Sequence, residues 1–283
     1  MFHRVCVVQS NLWENVLRIA LVGHGKMGAA LMSQWAAVAD RQFPDHDFHV
    51  IDPAAQPGTD TPARVTFLKE APAPGTTAYD LVIVAVKPQM LDQVLPTYAA
   101  LLADRGFVAS IAAGASIARL RSLSGDAPVV RIMPNLPAAI GAGVSGLCAD
   151  PSVTPEQRDA AEALMAAVGT AIWVADEDQL DRLTAVAGSG PGYVFEIART
   201  YVEAAQTLGF DAETAKQLVL GTLSGTIEMA RQSPLDLEAL RISVTSKNGT
   251  TAAGLDALNG KGDLDALMRA TLEAAYARAV ALR

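Results

Sequence analysis

Two cysteines in 283 residues are too few to staple a secreted fold, and Cys6 and Cys148 lack the paired spacing of a metal site. A reducing cytoplasm is the expected location. Aromatic residues make up only 5% of the chain, so the core has to be built from closely packed aliphatic side chains. Positive charge is also scarce: 22 Lys and Arg face 30 Asp and Glu, for a net charge of −8. That balance gives no basic footprint for nucleic acid and reads as ordinary solubility. No apolar run reaches the ~18 residues that a membrane helix requires. The histidines, His3, His24, His46 and His49, all fall in the first fifth of the chain, and no Ser/His/Asp arrangement is visible. Neither a fixed-period repeat nor a low-complexity tract interrupts the sequence.

What is present is apolar and alternating. The chain is 51% hydrophobic, and its length suits two domains at roughly 100–200 residues each. Residues 1–17 read as an extension, and the fold is expected to begin at Arg18. Short β-branched or aliphatic runs at 18–22, 48–53, 64–68, 80–86, 106–111 and 128–133 alternate with helical stretches at 28–39, 90–103 and 116–123. Further strands are expected at 144–149 and 171–174, with a helix at 155–168 between them. Such alternation predicts an α/β fold, a parallel sheet covered by helices on both faces. After about residue 177 strand patterns cease. Helices are predicted at 178–187, 191–208, 211–232, 235–242, 251–258 and 264–282. The expected organisation is therefore an α/β domain at 18–177 followed by an all-helical domain at 178–283.

The turn GHGKMG at 23–28 sits between a predicted strand and a predicted helix. Gly23 allows the tight turn, Gly25 lets the backbone approach a pyrophosphate, and Gly28 lets helix and strand pack closely. The phosphates then meet the free amides and positive end of a helix. Asp52 ends the next strand, where an acid bonds a ribose 2′-hydroxyl and repels a 2′-phosphate. Taken alone it argues for NAD over NADP, although Lys26, Arg64 or Lys69 is a candidate to hold a 2′-phosphate. A turn cap before Pro53 is the plain structural alternative. His24 lies inside the turn, where facing solvent or adenine suits it better than chemistry.

A second informative stretch is SVTSKNGTTAAGL at 243–255. Small hydroxyl residues around a glycine run into a predicted helix, and such a loop offers amides and hydroxyls to a carboxylate. An N-cap formed by Thr250 or Thr251 fits the composition equally well. GSGPG at 188–192 opens a long helix with proline near its first position. A hydride transfer needs no protein nucleophile; it needs two carbons held face to face.

Taken in order, GHGKMG, AVKP (85–88), AAG (112–114), RIMPN (131–135), GSGPGYVF (188–195) and VTSKNGTTAAGL (244–255) resemble pyrroline-5-carboxylate reductase from about residue 18 to the end. The resemblance implies reduction of the cyclic imine 1-pyrroline-5-carboxylate to L-proline by NADPH or NADH. It implies a Rossmann domain, a helical dimerisation domain, a homodimer and often larger rings of dimers. By motif match, Val22, Gly23, His24, Gly25, Lys26, Met27 and Gly28 with Ala85, Val86, Lys87 and Pro88 contact the cofactor. Ala112, Ala113 and Gly114 lie beside the nicotinamide, and Asp52 takes the ribose position. Glu177 matches an acidic residue of the proline site. Ser246, Gly249, Thr250 and Thr251 match the carboxylate loop, and Ser243 matches another substrate contact. Two departures stand out. The family loop commonly reads Ser-Pro-Gly-Gly or Ser-Lys-Gly-Gly where this chain has Ser246, Lys247, Asn248 and Gly249, and family members that use NADPH tend to carry Ser, Arg or Asn near position 52. A β-hydroxyacid dehydrogenase is the nearest enzymatic alternative, but it needs a lysine on the helix at 191–208, which has none; the nearest is Lys216. A non-catalytic dinucleotide-binding regulator has no reason to keep the loop at 246–251. No metal is expected.

Overall fold

Alternation along the central strands decides which side chain enters which layer. The computed structural model describes residues 17–283 apart from 44, 59 and 60, with backbone alone described at 39–41. In β1 (Arg18–Val22) Ile19 and Leu21 enter one core while Ala20 and Val22 enter another. In β4 (Tyr79–Val84) Leu81 and Ile83 separate from Val82 and Val84 in the same way. Successive strand side chains point to opposite faces, so a sheet buried on both sides reads as an unbroken apolar run.

Helix α1 (Lys26–Gln42) and helix α4 (Pro155–Ala166) contribute to the first core. Trp35 of α1 is fully buried there, stacks on Phe48 at 6.1 Å, and donates its indole N–H to the Leu164 carbonyl at 2.8 Å. That carbonyl belongs to the last turn of α4 and has no partner within the helix. Helices α2 (Leu91–Ala99) and α3 (Ile117–Leu123) cover the opposite face through Leu91, Leu95 and Leu120. Local signals set several boundaries. Ser116 caps α3 by accepting from the Arg119 amide, and Thr154 with Gln157 forms a reciprocal capping box on α4.

The remaining strands are β2 (Asp47–Ile51), β3 (Val65–Leu68), β5 (Leu102–Ser110), β6 (Val129–Met133), β7 (Gly143–Ala149) and β8 (Gly169–Trp173). They complete one eight-stranded sheet in the order β3-β2-β1-β4-β5-β6-β7-β8. The sheet departs from the expected all-parallel arrangement: β7 runs antiparallel to β6. The link between them is a single 3₁₀ turn (Leu136–Ile140), too short for the crossover that parallel neighbours require. Two other boundaries move. The helix expected at 90–103 ends at Ala99, and β5 starts at Leu102 rather than at Gly106. Gly106 falls at an irregular register, where a Cβ would press on the Tyr79 carbonyl oxygen at 2.8 Å. The helix expected at 178–187 divides into α5 (Glu177–Leu183) and a π-helical turn (Thr184–Gly188).

The chain forms two compact units. One runs through Gly188 and takes back Tyr276–Arg283; the other is Ser189–Ala275. The composition shift at 177 thus precedes the physical division by α5 and its π-turn. α5 stays with the sheet because Gly146 of β7 leaves room for Leu180 and Leu183, and the Tyr276 hydroxyl, donating to Asp178 at 2.5 Å, ties the chain end to α5. The second unit is helical: α6 (Gly190–Thr207), α7 (Ala212–Gln232), α8 (Leu237–Ser243), α9 (Thr250–Asn259) and most of α10 (Asp263–Leu282). Its buried core is small, centred on Ala205, Ala215 and Val219. The extension at 1–16 lies outside the described residues, whereas Leu17 already belongs to the fold, its carbonyl accepting from the Asp47 amide at 3.0 Å.

Two outcomes follow for the sheet unit. Trp35→Ala should cost about 3–5 kcal/mol, read as a lowered urea midpoint, since it opens a cavity and strips the Leu164 carbonyl of its donor. Asp150 is buried, which would raise its pKa, but the Ser152 hydroxyl and amide and the Arg121 guanidinium together hold it below the usual carboxylate range. Its contribution to stability is full above the ordinary carboxylate pKa and is lost as pH falls through the depressed value. Asp150→Asn should therefore flatten that part of the acid limb in a plot of unfolding free energy against pH.

Candidate active site

At the carboxyl ends of β1 and β4 the strand order reverses, and in open α/β sheets the crevice at such a switch point receives the ligand. The glycine turn lies there. Gly23 has φ +98°, and its N–H donates to the Ile51 carbonyl at 2.9 Å. A Cβ on Gly23 would meet the Ala85 carbonyl group at 2.9 Å, so the turn after β1 presses directly on the turn after β4. A Cβ on Gly28 would collide with the Gly23 carbonyl oxygen, which is how α1 comes so close to β1. In front of Gly25 nothing lies within 4 Å of where a Cβ would be. Two glycines thus permit backbone contact and the third leaves open space, a cradle of the kind a pyrophosphate needs. Helix α1 starts at Lys26, earlier than the expected 28, so Met27 and Gly28 already lie in its first turn, whose amides have no partner within the helix.

The rest of the predicted cofactor residues surround the same end of the sheet. Ala85 donates its amide to the Val22 carbonyl at 2.8 Å, prolonging the β1–β4 contact. Val86 is half-buried and Lys87 exposed, and Pro88 opens a 3₁₀ turn that leads into α2. Beyond β5, the Ala112 amide is held by the Ser110 hydroxyl at 3.2 Å, Ala113 is exposed, and Gly114 takes φ +74°. A Cβ on Gly114 would strike the Leu282 carbonyl oxygen, so the end of α10 packs directly on this loop. Asp52 follows β2. Its Oδ2 accepts from the His24 amide at 2.8 Å and its Oδ1 from the Ala54 amide at 2.8 Å. Burial pulls its pKa upward, but these amide donors outweigh that and hold the carboxyl below its usual value. The His24 ring stands edge-on to Phe67 of β3, with centroids 5.6 Å apart.

Glu177 takes up an unexpected set of partners. Its Oε1 accepts from the Ile117 amide at 2.9 Å and is paired with Nη1 of Arg131, and a quarter of the Glu177 side chain is exposed. Arg131, on β6, is almost completely buried and also lies 4.0 Å from Asp181, which in turn is 3.4 Å from the Arg283 guanidinium. Burial pushes the Asp181 carboxyl up, while Arg283 and Arg131 pull it back. This network joins β6, the start of α3, α5 and the chain end. Asn135 adds a second tie, donating to the Ala187 carbonyl at 3.0 Å and accepting from the Val144 amide at 2.8 Å. Sequence reasoning assigned no role to Arg131, Asn135 or Asp181, although the RIMPN run contained the first two.

The hydroxyl loop belongs to the helical unit. Ser243 ends α8 and donates its hydroxyl to the Leu240 carbonyl at 2.7 Å. The Gly249 amide donates back to the Ser246 carbonyl at 3.0 Å, and between them Asn248 adopts φ +61°, a left-handed conformation that Asn tolerates better than other non-glycine residues. Gly249, not Thr250 or Thr251, is the N-cap of α9, and no side chain caps that end. A Cβ there would collide with the Ser246 hydroxyl. Thr250 and Thr251 are the first two helical residues and both are exposed. Among the described residues no group of three His, Cys, Asp or Glu is disposed to hold a metal ion, and no helix is long and apolar enough to cross a membrane.

Known proteins match this architecture in both halves. A family model described as pyrroline-5-carboxylate reductase dimerisation matches residues 177–282, and one described as NADP oxidoreductase, coenzyme F420-dependent, matches 18–114. Pyrroline-5-carboxylate reductase of Pseudomonas aeruginosa is 37% identical over 94% of this chain and 96% of its own. The solved pyrroline-5-carboxylate reductase of Coxiella burnetii superposes with a TM-score of 0.84 at 31% identity, over 95% of this chain and 99% of that one. The fold also matches a Plasmodium falciparum pyrroline carboxylate reductase solved with NADP bound, with a TM-score of 0.78 at 24% identity, over 94% and 98% of the two chains. The chain belongs to the pyrroline-5-carboxylate reductase family.

Proposed function

We propose that the protein reduces 1-pyrroline-5-carboxylate to L-proline, the last step of proline synthesis, with NADH or NADPH as hydride donor. The observation that carries this reading is the uncapped start of α9, where Thr250 and Thr251 present free amides and two hydroxyls beside the N-cap Gly249, on a chain that also carries the glycine cradle. An uncapped helix start favours a carboxylate through its unpaired N–H groups and its dipole. The loop before it is fixed by the turn from Ser246 to Gly249, so the donors are arranged before the substrate arrives.

The bound dinucleotide supplies the hydride. The chain's own residues do the rest. The cradle at Gly23, Gly25 and Gly28, with Ala85 and Val86 against it, orients the donor; Ala112, Ala113 and Gly114 shape the nicotinamide end. Gly249, Thr250 and Thr251 take the substrate carboxylate, with Ser243 and Ser246 as further contacts. Protonation of the imine nitrogen makes the adjacent carbon a hydride acceptor, and orientation of the two partners does most of the catalysis. In this reading Glu177 works by holding Arg131 and the start of α3. The working domains are 18–177 for the dinucleotide and 178–283 for dimerisation and substrate, in a reducing cytoplasm that keeps the buried Cys148 a free thiol.

A homodimer follows from the helical unit. Phe195, Leu208, Ile227, Leu237 and Leu267 are each more than 60% exposed around a core of three small residues. Apolar surface on that scale marks an association face, and a second copy is the partner that the dimerisation match names for these residues. Rings of dimers belong to the same reading.

Mixing the enzyme with pyrroline-5-carboxylate and reduced cofactor should consume the absorbance of the reduced nicotinamide in step with proline formation. Thr251→Ala should raise KM by about tenfold or more at unchanged thermal stability, the loss expected for a hydrogen bond to a charged group; wild-type kinetics would remove the loop from the mechanism. Phe195→Asp should shift the protein toward monomer in sedimentation velocity and lower kcat with it. A fully active monomer would overturn the requirement for dimerisation.

A further inference from the structure

The two ends of β3 differ in the charge they offer. Arg64 precedes the strand: its carbonyl accepts from the Phe48 amide at 2.9 Å, at the start of β2, and its guanidinium donates to the Phe43 carbonyl at 3.1 Å. At ~3.3 Å per residue this places Arg64 more than ~10 Å along the sheet from the carboxyl end of β2. It is therefore removed from the group of cations able to meet a phosphate beside Asp52. At the carboxyl end, Lys69 follows β3 and is exposed, with the acidic Glu70 next to it; Lys26 is exposed at the start of α1.

Asp52 itself is held on every side. Its own amide donates to the Leu68 carbonyl at 3.0 Å and its carbonyl accepts from Ala55 at 3.2 Å. Its two carboxylate oxygens take the His24 and Ala54 amides. To swing away from an incoming group, the carboxylate would have to abandon the His24 amide inside the glycine cradle. An ionised carboxylate has about four acceptor positions, so two are left for hydroxyl donors. The amides that hold it also keep it charged at neutral pH. The anion at the end of β2 is thus fixed in place, whereas Lys26 and Lys69 are exposed on flexible stems.

We infer that Asp52 makes this enzyme select NADH over NADPH, its carboxylate accepting the adenosine ribose hydroxyls and excluding a 2′-phosphate. The selection runs against the NADP in the name of the N-terminal family match. It rests on the dinucleotide reading of the glycine turn, and not on the identity of the imine substrate.

Fluorescence titration of the purified full-length protein with NADH and with NADPH, at one ionic strength and without substrate, tests it. The wild type should bind NADH at least about tenfold more tightly, some 1.4 kcal/mol. Asp52→Asn keeps one acceptor for the loop amides and removes the charge, and should bring the ratio of the two dissociation constants down by about the same factor. Displacement of NADH from the wild type by ADP-ribose and by its 2′-phosphate gives the same comparison if the variant does not fold. Wild-type protein that binds NADPH as tightly as NADH, or a ratio in the Asp52→Asn variant equal to the wild-type ratio, overturns the assignment. Loss of proline formation with NADH selection intact would instead fall on the substrate reading alone.

Discussion

The contact between the turn after β1 and the turn after β4 is the constraint on which the cofactor end depends. Gly23 lies against the Ala85 carbonyl, and Gly28 lies against Gly23 in turn. Each approach is closer than a side chain allows, so three layers of backbone stack at the point where the sheet order reverses. The space left in front of Gly25 is the product of that stacking, and it opens onto the start of α1. Asp52 closes the arrangement by pinning the His24 amide to the end of β2. One carboxylate thereby shapes the cradle and sets the charge beside it.

A second, buried electrostatic tie organises the other end of the same unit. Arg131 is almost wholly removed from solvent, and a guanidinium there persists only with its charge matched. Glu177 and Asp181 supply the match, and Glu177 also receives the first amide of α3. The loop that carries Ala112, Ala113 and Gly114 runs directly into that helix. Its shape is therefore coupled to β6 and α5, and through Leu282 and Arg283 to the end of the chain. This is the sense in which the last residues of the protein belong to its first domain.

The helical unit shows the opposite balance. Long helices with clear caps, such as Asp211 on α7 and Asp236 on α8, form from local sequence. Their apolar residues are too many for the small core they enclose. Local helix formation and incomplete burial in one copy are compatible only if another surface completes the core, and this is the property that a dimerisation domain carries.

The order of elements, the glycine cradle, the position of Asp52 and the hydroxyl loop were legible in the sequence by itself. Each is written in local terms: period-2 apolar runs, fixed glycine spacing, a polar stop after a strand. Only the tertiary structure reversed β7, since strand direction depends on whether a connection is long enough to cross the sheet. Only the tertiary structure gave Glu177 to Arg131, returned the chain end to the first unit, and moved Arg64 to the far end of β3 from Asp52. Those are pairings between residues far apart in the chain. No local pattern encodes them, because the partner that satisfies a buried charge is chosen by packing.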